Sequence, residues 1–564
     1  MYQRDIKTLY MKKSSSRISI LFAFGAFISH SIYGQQLVKD VLPGSNSSTI
    51  SNFTSCNGDL YFFAQDQSMI FGQKELWKSD GTEAGTVLVK DINPVYGGIS
   101  FSGYTKMVCL NGKVLFAGND NVNGTELWTS DGTEAGTYML KDIRIGNSSM
   151  PRKFLVVNNL AFFIADDGIN GPELWKSDGT TAGTQLVKDI LPGEYGESGF
   201  NNSEFVEMGG LLYFESRQAT NGHAQLWKSD GTESGTTLVK DLPAYVFKYL
   251  TVVNGKIFFS AIDNNLGNEL FVSDGTEAGT MMVKDILPGN LDSAPTYLQA
   301  FNNEVYFLAS TPQFGREVWK SDGTEAGTVM LKDINAGSGG IVYNVDNAFA
   351  VLNNELFFVA FESVNGSELW KTNGTEAGTQ LVKNIMPGAN PAFDFLYATE
   401  LGVINGTLYF LADNGINGGE LWKSDGTTAG TQLVMDIKPG GVNSTSGANN
   451  FYNYNNTLFF TANDGIHGSE LWKNTINTSG NGSVKEQNSI SLYPNPADKT
   501  VILANGNIRK NESFRVLNSL GQAVVSGVLN TSQSSINIEE LAAGIYFIQF
   551  NSPEFPALKF IKNK

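Results

Sequence analysis

The sequence predicts an all-β chain: a β-propeller of about nine four-stranded blades closed by its N-terminal strand, followed by a small C-terminal β-sandwich. Three observations predict it. One motif recurs nine times with a period near 50 residues, each unit divides into four strand-like runs, and the two ends of the array complement each other.

The fullest form of the motif is Glu75-Leu76-Trp77-Lys78-Ser79-Asp80-Gly81-Thr82-Glu83-Ala84-Gly85-Thr86. Its Trp position falls at Trp77, Trp128, Trp175, Trp227, Phe271, Trp319, Trp370, Trp422 and Trp472, with spacings of 51, 47, 52, 44, 48, 51, 52 and 50. All eight tryptophans of the chain occupy this one position. Periods of this size belong to propellers, solenoids or arrays.

The third unit shows the division. Phe154 to Val157, Leu160 to Ala165, Glu173 to Ser177 and Thr184 to Ile190 are strand-like runs. Asn158-Asn159 and Asp178-Gly179-Thr180 supply turns, and the Asp-Gly pair suits the positive φ of a hairpin. Short turns without helical patterning make the strands antiparallel neighbours. Four such strands per unit match a propeller blade. A parallel β-helix has shorter repeats, and isolated hairpin units have too little core to fold alone. A lone blade has two apolar faces to cover, so each Trp reads as a wedge between blades.

The last motif, Glu470-Leu471-Trp472-Lys473-Asn474, lacks both the Asp-Gly-Thr turn and a fourth strand. Leu37-Val38-Lys39-Asp40 is a fourth-strand sequence with no blade before it, matching Leu88-Val89-Lys90-Asp91. The N-terminal strand is therefore expected to complete the last blade and remove both open edges.

Charge and targeting set limits on function. The formal net charge is −17, distributed as +4 over residues 1–34, +2 over residues 488–564 and −23 between them. So acidic a body repels phosphate backbones, which argues against nucleic acid as a partner. Residues 1–34 read as a signal peptide: Lys12, Lys13 and Arg17 precede a short apolar run from Ile18 to Ile28, with cleavage after Gly34. No later segment is long and apolar enough to be transmembrane. Residues 35–474 form the repeat array, 475–487 a flexible linker rich in Asn, Gly and Ser, and 488–564 a separate all-β domain. The only cysteines, Cys56 and Cys109, sit in neighbouring repeats one residue out of register. That offset points them to opposite strand faces, and two buried thiols are expected rather than a disulfide.

The repeat resembles the bacterial ELWxxDGT repeat over about residues 36–474, as in Glu126-Leu127-Trp128…Asp131-Gly132-Thr133, with departures at Gln225, Phe271, Val318 and Asn373. That resemblance implies no fixed activity. The C-terminus resembles the sorting domain of the type IX secretion system. The matching stretches are Ser491-Leu492-Tyr493-Pro494-Asn495-Pro496-Ala497, Phe514-Arg515-Val516 with Leu520-Gly521-Gln522, Leu541-Ala542-Ala543-Gly544-Ile545-Tyr546-Phe547 and Lys559-Phe560-Ile561-Lys562. The resemblance implies a small β-sandwich, with Tyr493, Pro494, Asn495, Pro496, Gly544, Tyr546, Lys559 and Lys562 as its sorting motif. It further implies partnership with the type IX secretion machinery, passage across the outer membrane, removal of the domain and attachment to surface lipopolysaccharide.

Residues with chemical potential are few. His223 and His467 lie in turn-rich loops without the partners a nucleophilic triad or zinc site needs. The loops containing Asp166, Asp167 and Asn170, Asp413, and Asp464 offer oxygen ligands and are weak calcium candidates. They lack EF-hand spacing, and plain turns are the stronger reading. The Asp of each Asp-Gly-Thr is expected to accept backbone N–H bonds inside its turn. The clearest breaks in the repeat are Ser216-Arg217-Gln218 to His223 and Thr311-Pro312-Gln313-Phe314-Gly315-Arg316, and neither resembles an acid/base pair. No cofactor is expected. The leading expectation is a secreted or outer-membrane surface propeller that binds an extracellular glycan or protein without catalysis. The alternatives are a propeller enzyme acting on polysaccharide and a structural or adhesin component.

Overall fold

The computed structural model describes residues 35–563 apart from 66–73, 95–97, 100–105, 193–199, 201–203, 218–221, 264, 338–347, 389–390, 394–399, 441–445 and 476–490, and, in the C-terminal unit, 494–496, 498, 505–511, 519–521, 530–532 and 551–557. The expected signal peptide, the expected linker beyond Thr475 and the sorting residues Pro494, Asn495 and Pro496 lie outside the described residues. The chain divides into two compact units, Met1–Ile476 and Asn477–Lys564.

The first unit contains, among the described residues, nine four-stranded antiparallel sheets in a blade-like arrangement. We number the blades 1 to 9 along the chain. Blade 1 consists of Ser51–Cys56, Asp59–Ala64, Glu75–Ser79 and Val87–Lys90. Blade 3 consists of Arg152–Val157, Leu160–Asp166, Pro172–Ser177 and Gln185–Lys188, within two residues of the predicted runs. Second strands are buried along their central residues (Leu60, Phe62, Phe63 and Ala64 are wholly inaccessible), because a neighbouring blade covers each face of the sheet. Fourth strands alternate with solvent and form the outer rim.

The first strands of successive blades touch in a closed cycle, ending with Asn449–Tyr454 of blade 9 against Ser51–Cys56 of blade 1. Gln35–Lys39 fills the fourth position of blade 9, antiparallel to Ser469–Thr475 with Leu37 opposite Trp472. Across the seam Lys473 Nζ donates to the Gly81 carbonyl at 2.7 Å, and the Tyr452 hydroxyl donates to Ser55 Oγ at 3.0 Å.

Both hairpin turns have local causes. Asn57 (φ 50°) and Gly58 (φ 86°) make the turn between first and second strands, the residues such a turn requires. In the Asp-Gly-Thr turn only the glycine takes positive φ, 90° at Gly81, which corrects the expectation for the Asp-Gly pair. Asp80 contributes its carboxylate instead: Oδ1 accepts Thr82 N at 2.8 Å and Thr82 Oγ1 at 2.7 Å, and Thr82 Oγ1 accepts Gly85 N at 2.9 Å. A Cβ at position 85 would sit 2.1 Å from the Asp80 carboxylate, which explains the second glycine of the motif.

The cysteines require a second correction. Cys56 and Cys109 form a disulfide, with Cα atoms 5.4 Å apart. The face argument applied to two strands of one sheet. These strands are the innermost of adjacent blades. One blade's leading face meets the next blade's trailing face, so side chains pointing to opposite faces are those that meet.

Each Trp lies between blades. Trp175 (6 % exposed) packs among Leu110, Leu127 and Leu140 of blade 2 and Phe163 of its own blade. Lys141 of blade 2 places Nζ 5.8 Å from the Trp175 ring and donates to the Thr184 carbonyl at 2.6 Å. The same lysine-on-indole contact joins Lys188 to Trp227, Lys332 to Trp370 and Lys383 to Trp422. Seven of the eight indole N–H groups meet no acceptor among the described residues. Trp227 donates to Gln225 Oε1 at 3.1 Å.

The motif's glutamates tie each blade to the next connection. Glu173 accepts Ile190 N at 2.9 Å and Leu191 N at 2.8 Å. Glu470 does the same across the seam, accepting Val41 N at 2.9 Å and Ser48 N at 3.0 Å. Burial raises Glu75, Glu126, Glu269, Glu368, Glu420 and Glu470 to about 7, and Glu173 and Glu317 to about 8. A carboxyl whose folded value is raised binds its proton more tightly in the ring than in the unfolded chain. Its contribution is fully present below the ordinary value near 4.5 and is lost as pH rises through about 7 to 8. The turn aspartates act oppositely: hydrogen bonds from Thr82 hold Asp80 below its ordinary value, so its contribution is lost on acidification. Thermal stability is therefore expected to peak in the mildly acidic range and to fall steadily between pH 5 and pH 8.5 in a calorimetric series. Glu173→Gln should flatten that slope, and an unchanged slope would contradict the assignment.

The second unit has a three-stranded and a four-stranded antiparallel sheet. Their core contains Val501, Val516, Ile536, Ile548 and Phe560.

Candidate functional site at the inner mouth of blades 3 to 6

In every blade the first strand begins, the second ends and the third begins at one face of the ring. At the inner edge of that face five first strands carry a bulge centred on a residue with positive φ: Asn52, Lys153, Tyr249, Tyr297 and Asn450. Asn tolerates this conformation, whereas Lys and Tyr adopt it at a cost. Nine-fold repetition therefore breaks at the bulges of blades 3, 5 and 6.

The breaks gather other charged and aromatic residues. Glu204, preceding the first strand of blade 4, accepts Leu250 N at the blade 5 bulge at 2.8 Å. Glu400 repeats the bond in blade 8, accepting Phe451 N at 3.1 Å. Glu215 (1 % exposed) follows the apolar run Leu211 to Phe214 in a second strand, with Arg217 Nε 3.6 Å from its Oε1. Burial raises Glu215 to about 7, opposed by Arg217 and a hydrogen bond from Phe247 N. Lys153 feels both Glu204 and Glu215, and burial pulls it below its ordinary value. The Tyr249 and Tyr297 rings lie 5.6 Å apart. The Arg316 guanidinium lies 6.0 Å from the Tyr297 centroid and donates to Thr296 Oγ1.

These residues include members of both sequence breaks, Arg217 and Arg316, which the fold brings to one sector. The sequence did not flag Glu204, Glu215, Tyr249 or Tyr297. An isolated Glu in the run Leu-Leu-Tyr-Phe-Glu-Ser-Arg was the available signal.

The other candidates lie elsewhere. His223 Nδ1 faces Asp241 Oδ1 at 3.2 Å on an exposed loop. His467 Nδ1 faces Asp464 Oδ2 at 2.7 Å, and that bond raises the imidazole above its ordinary value. The loop carboxylates face donors. Asp167 Oδ1 accepts Ile169 N and Asn170 N, both at 2.8 Å, Asp166 pairs with Arg144, and Asp413 accepts Gly415 N at 2.7 Å. N–H donors at those oxygens compete with a cation. No cluster of three metal-ligating side chains occurs among the described residues. In the second unit, the Tyr546 hydroxyl donates to the Ala542 carbonyl at 2.9 Å, and Lys562 is buried. Gly544 and Lys559 pair in one sheet: Gly544 stands opposite Lys562, and Lys559 opposite Phe547.

An all-β ring of blade-like sheets joined to a sorting unit defines the class, an exported β-propeller-like protein. Residues 491–562 match the family described as secretion system C-terminal sorting domain. That match marks export through the type IX machinery to the medium or the cell surface. No curated protein matches the chain. Among solved structures, the chain is similar to a puromycin hydrolase (10 % identity, 75 % of this chain and 60 % of that one, TM-score 0.38). It is also similar to a Mycobacterium tuberculosis puromycin-hydrolyzing peptidase (9 % identity, 76 % and 60 %, TM-score 0.38). A third is PorZ, a surface component of the type IX secretion system of Porphyromonas gingivalis (12 % identity, 92 % and 82 %, TM-score 0.23). The chain spans about three fifths of the length of each peptidase. Among the described residues no helix is long and apolar enough to cross a membrane.

Proposed function

We propose that this chain is a secreted or surface-displayed propeller that binds an extracellular glycan or protein at the inner mouth of blades 3 to 6 without transforming it. One observation carries the reading. Unrepeated charged and aromatic residues collect in a single sector of an otherwise repetitive ring, and two of its bulges are held in costly conformations by tyrosines. Strained backbone persists where the side chain it presents is needed. Export completes the reading. The signal peptide is removed near Gln35, the sorting unit is removed after the type IX machinery recognises it, and the ring is retained on surface lipopolysaccharide.

Glu204 and Glu215, adjacent in blade 4, favour polysaccharide cleavage as the second reading. Glu215 is almost wholly buried against Arg217 and the blade 5 backbone, which places its carboxyl away from a substrate. Mass spectrometry of the exported protein should find an N-terminus near Gln35 and a C-terminus between Asn474 and Asn488. Intact Lys564 at the cell surface would contradict removal of the sorting unit. The same protein on a glycan and surface-protein array should retain ligands without releasing reducing ends, and release abolished by Glu215→Gln would establish the enzyme instead.

A further inference from the structure

The body between residues 35 and 487 carries a formal charge of −23 and only four arginines. Arg144 pairs with Asp166 in a peripheral loop. The other three, Arg152, Arg217 and Arg316, begin a first strand, end a second strand and stand second in a third strand. All three positions fall at the same face of blades 3, 4 and 6. Lys153 and Lys248 add two cations at the bulges of blades 3 and 5. The acids facing this group are Glu204 and Glu215. Both are engaged, Glu204 by Leu250 N and Glu215 by Arg217 and Phe247 N. A strongly acidic molecule thus concentrates its arginines in one sector that also carries two half-exposed tyrosines.

Arg316 is the most telling of them. It is half-buried and desolvated, it forms no ion pair among the described residues, and its Nε meets no acceptor. Its surroundings are the Tyr297 ring, Tyr249 and the Thr296 hydroxyl. A guanidinium without a counter-ion is costly to desolvate, and its planar fork suits a carboxylate. The adjacent Tyr249 and Tyr297 rings, half-exposed and tilted at 50° to each other, are of the size of a pyranose.

We propose that this sector binds a carboxylated polysaccharide, with a uronate carboxylate on Arg316 and sugar rings against Tyr249 and Tyr297. The proposal rests on the binding function assigned above and names its ligand class. Lys153, Arg152 and Lys248 attract the polyanion to a surface whose remainder repels it. The paired aromatic faces favour a sugar over an acidic peptide, whose side chains offer carboxylates without rings to stack.

The ring itself supplies the test variants. Asn52 and Asn450 occupy the bulge position in blades 1 and 9, so Tyr249→Asn and Tyr297→Asn replace a strained residue with one the fold already uses there. Both should leave the melting temperature unchanged or higher. Titration calorimetry of the exported protein against oligogalacturonate, oligomannuronate and oligoglucuronate should show binding to at least one. Affinity should fall at least tenfold in each Tyr→Asn variant and in Arg316→Gln, and should weaken steeply with salt. A neutral oligogalactoside of equal length should bind at least tenfold more weakly. If no uronate binds but a neutral glycan or protein binds and is lost in the Tyr→Asn variants, the uronate assignment fails and the binding function stands. If oligoglutamate binds as well as the uronates, the ligand is an acidic protein and the assignment again fails. If nothing binds in a manner sensitive to Tyr249 or Tyr297, both fall. A fall of melting temperature in the Tyr→Asn variants would show that the tyrosines serve the fold, and would overturn the strain argument.

Discussion

Removing Gln35–Leu42 from the exported chain is expected to lower its melting temperature by about 5–10 °C or to make it aggregate. Gln35–Lys39 supplies the fourth strand of blade 9, and without it Ser469–Thr475 becomes an open edge. Val38, Val41 and Leu42, each under 8 % exposed, leave the core with the deletion. At about 1.5–3 kcal/mol for each buried aliphatic side chain, the three together lose roughly 4.5–9 kcal/mol. Glu470 also loses the Val41 N–H and remains buried with fewer donors, a further cost. A ring of this size shifts by roughly 1 °C per kcal/mol, because its unfolding entropy grows with length. Differential scanning calorimetry reads the result, and an unchanged transition would show that the ring closes without this strand.

Trp175→Ala is expected to cost about 3–5 kcal/mol, as for a large aromatic removed from a well-packed site. The ring fills the space between Leu127, Leu140 and Phe163, and its loss also removes the indole face beneath Lys141. Trp175→Phe should cost under about 2 kcal/mol, because the indole N–H has no acceptor to lose. Phe271 already occupies this position in blade 5, opposite Met282 in the fourth strand, and flexible thioethers fill such gaps. Denaturant titrations of the two variants separate the cases. A Trp175→Ala protein of undiminished stability that had lost ligand binding would make the indole a binding platform.

The blades were legible because a single period carries them. Each turn, wedge and buried run repeats with Trp175 or one of its counterparts, and Leu37-Val38-Lys39-Asp40 announced the closure by matching fourth strands elsewhere. The disulfide was misread because strand alternation fixes faces within one sheet, whereas Cys56 and Cys109 belong to two sheets facing each other. The candidate site was half legible. Arg217 and Arg316 stood out as interruptions, but Tyr249 and Tyr297 lie in ordinary first strands and differ from Asn52 and Asn450 only at a bulge. Backbone conformation, not residue pattern, sets those positions apart. Glu204 and Glu215 stand on neighbouring segments of blade 4, and what spacing along the chain does not reveal is the blade 5 backbone they meet, Leu250 N and Phe247 N.

The seam of the ring also determines how the molecule answers a mechanical load. The chain leaves the ring through Ser469–Thr475, which is hydrogen-bonded on one side to Thr457–Asn463 and on the other to Gln35–Lys39. A pull on the C-terminal end acts along the axis of that strand. It loads both ladders in parallel, as shear, where a terminal strand at an open edge would peel one bond at a time. Lys473, anchored to the Gly81 carbonyl of blade 1, passes part of the load to the neighbouring blade. The strand that closes the ring thus also splints the strand by which the chain leaves it.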